Sequence, residues 1–196
     1  MRILNYDKSG GVTRRFFCKH LYEIHCNWGF TAYNIINRRE HILKGVIKVA
    51  QICDVAEWFL QKENMSHKKL QKLCYYAQAW SYALREIPIA TDTKFEAWVH
   101  GPVSYDLFKE YSGNGWEPIA PEGRTLNFDA TETDLLESVY LTYGGLSANE
   151  LEALSHDEPP WRNAREGCAP GERCSNTIRI NDMKKYYRSI YTGDDE

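Results

Sequence analysis

No window of this sequence approaches the roughly 18 uncharged apolar residues that a membrane-spanning helix needs, and its amino terminus lacks the continuous apolar core of a signal peptide. A soluble cytoplasmic protein is the expectation. The six cysteines, at 18, 26, 53, 74, 168 and 174, include no C-x-x-C pair, so reduced thiols are expected throughout. No Ser or Cys sits in a nucleophile elbow, no glycine-rich phosphate loop is present, and no carboxylate pair is fixed by helical spacing. Repeats and low-complexity tracts are also missing, which excludes solenoids and flexible arrays.

What remains is a chain of 196 residues, 43% apolar and 26% charged, enough to bury one core. Its net charge of −3 hides an asymmetry. Residues 1–48 hold 9 Lys or Arg against 3 acids, leaving 15 basic and 24 acidic residues in 49–196, so the balance runs from +6 to −9. An acidic body disfavours nucleic acid, whose affinity for proteins comes mainly from phosphate neutralisation. Three parts are expected: a basic extension at 1–48, one domain at 49–190, and an acidic tail at 191–196.

The extension shows no sustained period, and two readings of it stand. In one, translation begins at Val49: Lys44-Gly45-Val46 can be encoded by a bacterial ribosome-binding sequence, and GTG would encode Val49. Coding DNA lacking those codons, with native protein retaining residue 1, removes that reading. In the other, 1–48 is a basic, partly helical arm that touches a partner or nucleic acid. Cys18, His20, His25 and Cys26 are metal-ligand types at a spacing that fits no common zinc pattern.

From Val49 the pattern becomes regular. Ile52, Cys53, Ala56, Phe59 and Leu60 form one helical stripe, ended by Asn64-Met65-Ser66. Ser66 caps a second helix carrying Leu70, Leu73, Cys74, Ala77, Trp80 or Ser81, and Leu84, which Ile87-Pro88 stops. Phe95–Val99 alternates as a strand before a Gly101-Pro102 turn, and Ser104 caps a short helix with Tyr105, Leu107, Phe108 and Tyr111. A short strand at Trp116–Ile119 and a loop at 120–130 follow. Thr131-Glu132-Thr133-Asp134 resembles a capping box, and Ser147-Ala148-Asn149-Glu150 is a full one. A short helix through Trp161 and Ala164 comes after Pro159-Pro160. Thr177–Ile180 reads as a strand, and Asn181 as the cap of a last helix with Met183, Tyr186 or Tyr187, and Ile190. The expected fold is mainly α, a single compact domain of six or seven short helices with two or three short strands.

Three segments carry a family likeness. They are Lys68-Lys69-Leu70-Gln71-Lys72-Leu73-Cys74-Tyr75-Tyr76-Ala77-Gln78-Ala79-Trp80, then Phe95-Glu96-Ala97-Trp98-Val99-His100-Gly101-Pro102-Val103, then Leu154-Ser155-His156-Asp157-Glu158-Pro159-Pro160-Trp161. In order and spacing they resemble the Panacea domain family of SocA-like and phage-associated GepA-like antitoxins, over about residues 49–190. The resemblance implies a mainly helical antitoxin of a bacterial or phage pair that neutralises a protein toxin by direct contact. The toxin would be encoded by a neighbouring gene. It implies no cofactor, and in some relatives it implies presentation of the toxin to a cellular protease.

The residues themselves leave three functions open. Half-exposed indoles at loop edges anchor partners well, so Trp98, His100, Gly101, Pro102, His156, Glu158, Pro160 and Trp161 are the candidate partner-binding set. His100 and His156, with Glu158 or Asp157, are instead the acid–base candidates of a hydrolase. Residues 1–48 are the candidate element of a nucleic-acid-binding regulator. Bland readings accompany each candidate. His156 suits the carboxyl end of its helix as a cation whose hydrogen bonds lock the Pro-Pro turn. Trp80, Cys53 and Cys74 fill the core. Lys68, Lys69 and Lys72 form a solvated face or meet an acidic toxin. Gly101-Pro102 sets the entry to the next helix, and Cys168 and Cys174 pair only in an oxidising setting.

Overall fold

The computed structural model describes residues 50–192, so the basic extension, its Cys18–Cys26 cluster and the end of the acidic tail lie outside the described residues. Seven α-helices and one two-stranded sheet follow in chain order among the described residues: α1 (Ile52–Leu60), α2 (His67–Arg85), β1 (Phe95–Trp98), β2 (Gly101–Ser104), α3 (Tyr105–Tyr111), α4 (Ala130–Tyr143), α5 (Ala148–Asp157), α6 (Pro159–Ala164) and α7 (Ile180–Thr192). The mainly α expectation holds. No helix among the described residues is long and apolar enough to cross a membrane.

The second helix is the axis of the domain. Ser66 accepts the Lys69 amide at its start, as the sequence indicates, and Glu86 ends it in the left-handed region at φ 61°. Helices α1, α4, α5 and α7 and the hairpin all pack against it. Every residue from Leu70 to Ser81 is buried as a result, polar ones included. An aromatic core fills the side toward α4 and α7: Tyr76 stacks on Tyr143 at 3.9 Å, and Trp80 packs edge-on to Tyr187 at 5.1 Å. The Trp80 indole N–H donates to the Tyr143 hydroxyl at 3.1 Å, confirming Trp80 as a core residue whose polar atom has found a partner.

Several boundaries differ from the sequence expectations, each for a local reason. Gly101 and Pro102 are paired residues of β2, opposite Trp98 and Ala97, and the chain reverses at Val99-His100 instead. The strand expected at Thr177–Ile180 reduces to one bridge on the outer edge of β1, because Ile180 already begins α7. There the Ala97 amide donates to the Asn176 carbonyl at 2.9 Å and the Ile178 amide to the Phe95 carbonyl at 2.8 Å. Asn181 therefore lies inside the helix it was expected to cap. The strand expected at Trp116–Ile119 is likewise one bridge, Ile119 to Met65. Asp129, not Thr131, caps α4: it accepts the Glu132 amide at 2.8 Å while Glu132 accepts the Asp129 amide at 3.0 Å, so the capping box starts two residues early. The Ser147–Glu150 box forms as expected. Cys168 and Cys174 are free thiols with adjacent sulfurs, 2.6 Å apart.

A carboxylate without solvent ties the long 120–129 connection down. Glu57 on α1 is fully buried and accepts the backbone amides of Glu122 (2.9 Å), Gly123 (2.8 Å) and Arg124 (3.2 Å), and the Gln61 amide at 3.2 Å. Gly123 turns that segment with φ +77°, which brings successive N–H groups to one concave nest. Burial by itself raises the Glu57 pKa, but these hydrogen bonds outweigh it and hold the carboxyl below its ordinary value. Glu57→Gln should cost about 2 kcal/mol, since hydrogen bonds to a buried charge are worth more than neutral ones. A lowered folded pKa contributes stability above the unfolded value that is lost as pH falls through the folded one. Urea midpoints of the two proteins should accordingly differ at pH 7 and converge in acid; equal midpoints at pH 7 would show that the nest contributes nothing.

Candidate functional site

All three distinctive segments meet at the hairpin. Gln71 of α2 grips Ser104 from both sides, its Oε1 accepting the Ser104 amide at 2.8 Å and its Nε2 donating to the Ser104 carbonyl at 3.1 Å. From the next residue of α2, Lys72 Nζ donates to the Pro102 carbonyl at 3.0 Å. From the opposite side α6 reaches β1: the Trp161 indole N–H donates to the Trp98 carbonyl at 3.0 Å and Arg165 to the Ala97 carbonyl at 2.9 Å. Gly101 is the point of closest approach. Its φ is +94°, and a Cβ there would lie 2.6 Å from Lys72 Cε and 2.9 Å from Ser155 Oγ, so glycine is required by backbone angle and by space.

The eight candidate residues divide between surface and packing. Trp98 is half-buried, its indole N–H donating to Glu96 at 2.9 Å and its ring 5.0 Å from Phe108. His100 is exposed in the turn, with Nδ1 3.0 Å from Glu152 Oε1. Gly101 and Pro102 are buried against α2. Pro160 is buried, and Glu158 is a core acceptor for the Tyr187 hydroxyl at 2.6 Å. Trp161 is half-buried, with His156 stacked on it at 3.9 Å and Arg165 5.1 Å from its ring.

One expectation needs correction here. Burial lowers the His156 pKa, with Glu152 opposing, and Nε2 has no hydrogen-bond partner among the described residues, so His156 holds the Pro-Pro turn by ring stacking instead of as a hydrogen-bonded cation. Of the acid–base candidates, His100 Nδ1 lies beside Glu152, and Glu158 accepts the Tyr187 hydroxyl.

The lysines of α2 are not a solvated face. Lys69 is drawn to Glu63 and donates to the Gly144 carbonyl at 2.7 Å, while Lys68 is paired with Glu152 and donates to Asn149 at 2.8 Å. Lys72 is 1% exposed. Burial pushes its pKa down to about 7, with Glu152 pulling the other way and Lys68 adding to the depression. Burial tends to raise the Glu152 carboxyl, but hydrogen bonds from Lys68 and His100 prevail and lower it. Between these groups and α3 opens a groove of about 750 Å³, with Lys68, Lys72, Trp98, His100, Phe108 and Trp116 among its lining residues. Trp116 is 91% exposed and Phe108 37%. Glu152, Phe108 and Trp116 are site residues that sequence reasoning missed, and Lys72, expected on a solvated face or against an acidic toxin, is buried instead. Only Trp116 carries a signal, as an indole directly after the Gly113-Asn114-Gly115 turn, where no stripe can bury it. Among the described residues no group of three or more His, Cys, Asp or Glu could hold a metal ion.

A family profile described as antitoxin SocA-like, Panacea domain, matches residues 70–162, which run from the buried part of α2 to the Trp161 turn of α6. Antitoxin SocA of Caulobacter vibrioides (strain NA1000 / CB15N) is similar at 31% identity over 133 residues, covering 60% of this chain and 68% of that protein. The chain belongs to the SocA-like Panacea antitoxin family. Its three segments that converge on the hairpin fall almost wholly inside the profile, so the Panacea region coincides with the α2–hairpin–α6 junction. No solved structure matches the chain.

Two substitutions test this junction. Gly101→Ala should destabilise by about 2 kcal/mol through the positive φ and the contacts with Lys72 and Ser155, read as a lower thermal midpoint; an unchanged midpoint would show slack there. Lys72 binds fewer protons folded than unfolded between pH 7 and the ordinary lysine value, so its contribution to stability rises with pH across that window. Lys72→Met should therefore raise stability at pH 7 by about 1–3 kcal/mol and flatten the rise between pH 7 and 10 in chemical denaturation. A loss of stability at every pH would contradict this account of Lys72.

Proposed function

We propose that this chain is the antitoxin of a bacterial or phage toxin–antitoxin pair and that it neutralises a protein toxin by direct binding. Membership of the SocA-like Panacea family is the observation that carries the reading. The unit responsible is the domain at 49–190, and the contact face is the hairpin turn with the groove beside it, where Trp98 and His100 meet Phe108 and Trp116. Neutralisation is then steric: a stable complex buries roughly 1,200–2,000 Å² in total, enough to cover a toxin's working surface. Handing the toxin to a cellular protease is a variant of the same binding and uses no chemistry of this chain.

Co-expression with the product of the adjacent reading frame tests the proposal. Growth inhibited by that product should be restored by this chain, and the two should co-purify. In a His100→Ala/His156→Ala protein that circular dichroism shows to be folded, rescue should be lost only as far as co-purification is lost, because neither imidazole is asked to transfer a proton. Loss of rescue in a folded double variant that still binds its partner would favour the hydrolase reading.

A further inference from the structure

The groove beside the hairpin joins an aromatic wall to a basic floor. Trp116 and Phe108 are exposed large apolar side chains, and such surface carries a hydration cost that a partner relieves. Beneath them Lys72 donates only to the Pro102 carbonyl, which leaves two of its three N–H donors without a protein acceptor among the described residues. Lys68 and His100 stand at the rim and converge on one carboxylate, Glu152. Two lysines thus face a single acid, giving local positive charge in a body that is otherwise acidic.

We propose that this groove is the receptor for an acidic peptide segment of a protein partner, with an aromatic or aliphatic side chain seated among Trp98, Phe108 and Trp116 and a neighbouring carboxylate seated on Lys68 and His100 above Lys72. Charge complementarity selects the occupant. An apolar side chain seated against that wall would displace water and strengthen the attraction. A nucleic acid strand fits less well, because Asp106 and Glu110 on α3, Glu117 beside Trp116 and Glu150 on α5 flank the same elements and repel a continuous row of phosphates. Isolated carboxylates on a peptide can avoid them. The inference rests on the antitoxin reading only in taking the partner to be a protein.

Binding should take up a proton. Lys72 faces Lys68 and His67 from its own helix and Glu152 and His156 from α5, and His100 of the hairpin turn lines the same groove. A carboxylate arriving beside this group favours the charged ammonium, so affinity falls as pH rises above about 7.

Selection of a random peptide library displayed on phage against the full chain tests the proposal without knowledge of the toxin. Recovered peptides should be enriched in Asp or Glu next to aromatic or aliphatic residues. A synthetic copy of the most enriched peptide, titrated by calorimetry, should bind roughly tenfold more weakly to Trp116→Ala. Wild-type affinity should fall about tenfold between pH 7 and 9, and Lys72→Met should bind more weakly at pH 7 with that decline removed. Lack of acidic enrichment, binding unmoved by both variants, or tighter competition by an oligothymidylate at the same residues would each overturn the proposal. Failure of the antitoxin reading is distinguishable. Peptides that bind here while the neighbouring gene product does not co-purify leave the groove standing and remove the antitoxin. A neighbour bound equally by wild type and both variants removes the groove and leaves the antitoxin.

Discussion

A helix buried on every side must find partners for the amide and charged side chains it carries inward, and in this protein that constraint organises the rest, although the Tyr75 and Tyr76 hydroxyls on the same helix have no hydrogen-bond partner among the described residues. Between Leu70 and Arg85, α2 carries Gln71, Lys72, Gln78, Ser81 and Arg85 into the interior. Each engages a group inside the domain. Gln71 and Lys72 hold β2, Gln78 exchanges two hydrogen bonds with Ala90 at 3.0 and 3.1 Å, Ser81 donates to the Ile87 carbonyl at 2.8 Å, and Arg85 reaches Ser81 and Glu132. A single such bond adds only about 1 kcal/mol, whereas an unmade one costs up to about 3 kcal/mol. The polar residues of α2 therefore specify where the following chain runs more than they stabilise it. The 87–104 segment is hung on the helix that precedes it.

That division explains what could be read in advance. Apolar stripes at three- and four-residue intervals and the Ser66, Ser104 and Ser147 caps are local signals, and α1, α2, α3 and α5 follow from them. Strand ends and turn positions depend on partners far along the chain. Gly101-Pro102 looked like a turn because glycine and proline punctuate sequence, yet Gly101 is needed for the approach of Lys72 and Ser155, 29 and 54 residues away. The burial of Lys72 was illegible. A lysine between Leu70 and Leu73 on an amphipathic helix reads as solvated until the hairpin is known to cover it.

The same holds for the site. Three weak motifs stood out through their residue types, and the structure brings them together at the hairpin. Their order along the chain did not show that His156 and Trp161 stack together, or that Trp161 ties α6 to the carbonyl of Trp98. Sequence patterns identified the scaffold of the junction better than the surface it presents. Phe108 and Trp116, which line the groove, sit outside all three segments, and the apolar set of α3 reads Phe108 as a packing residue.

The way the hairpin is enclosed has a consequence for solubility. A two-stranded ribbon ordinarily exposes two rows of unsatisfied amides and carbonyls that invite stray chains to add on and grow. Here one rim is occupied by residues 176–178 and the other by side chains of α2, so the ladder is finished at both borders. The domain can offer a sticky aromatic surface to a partner without also offering a template for strand-by-strand aggregation.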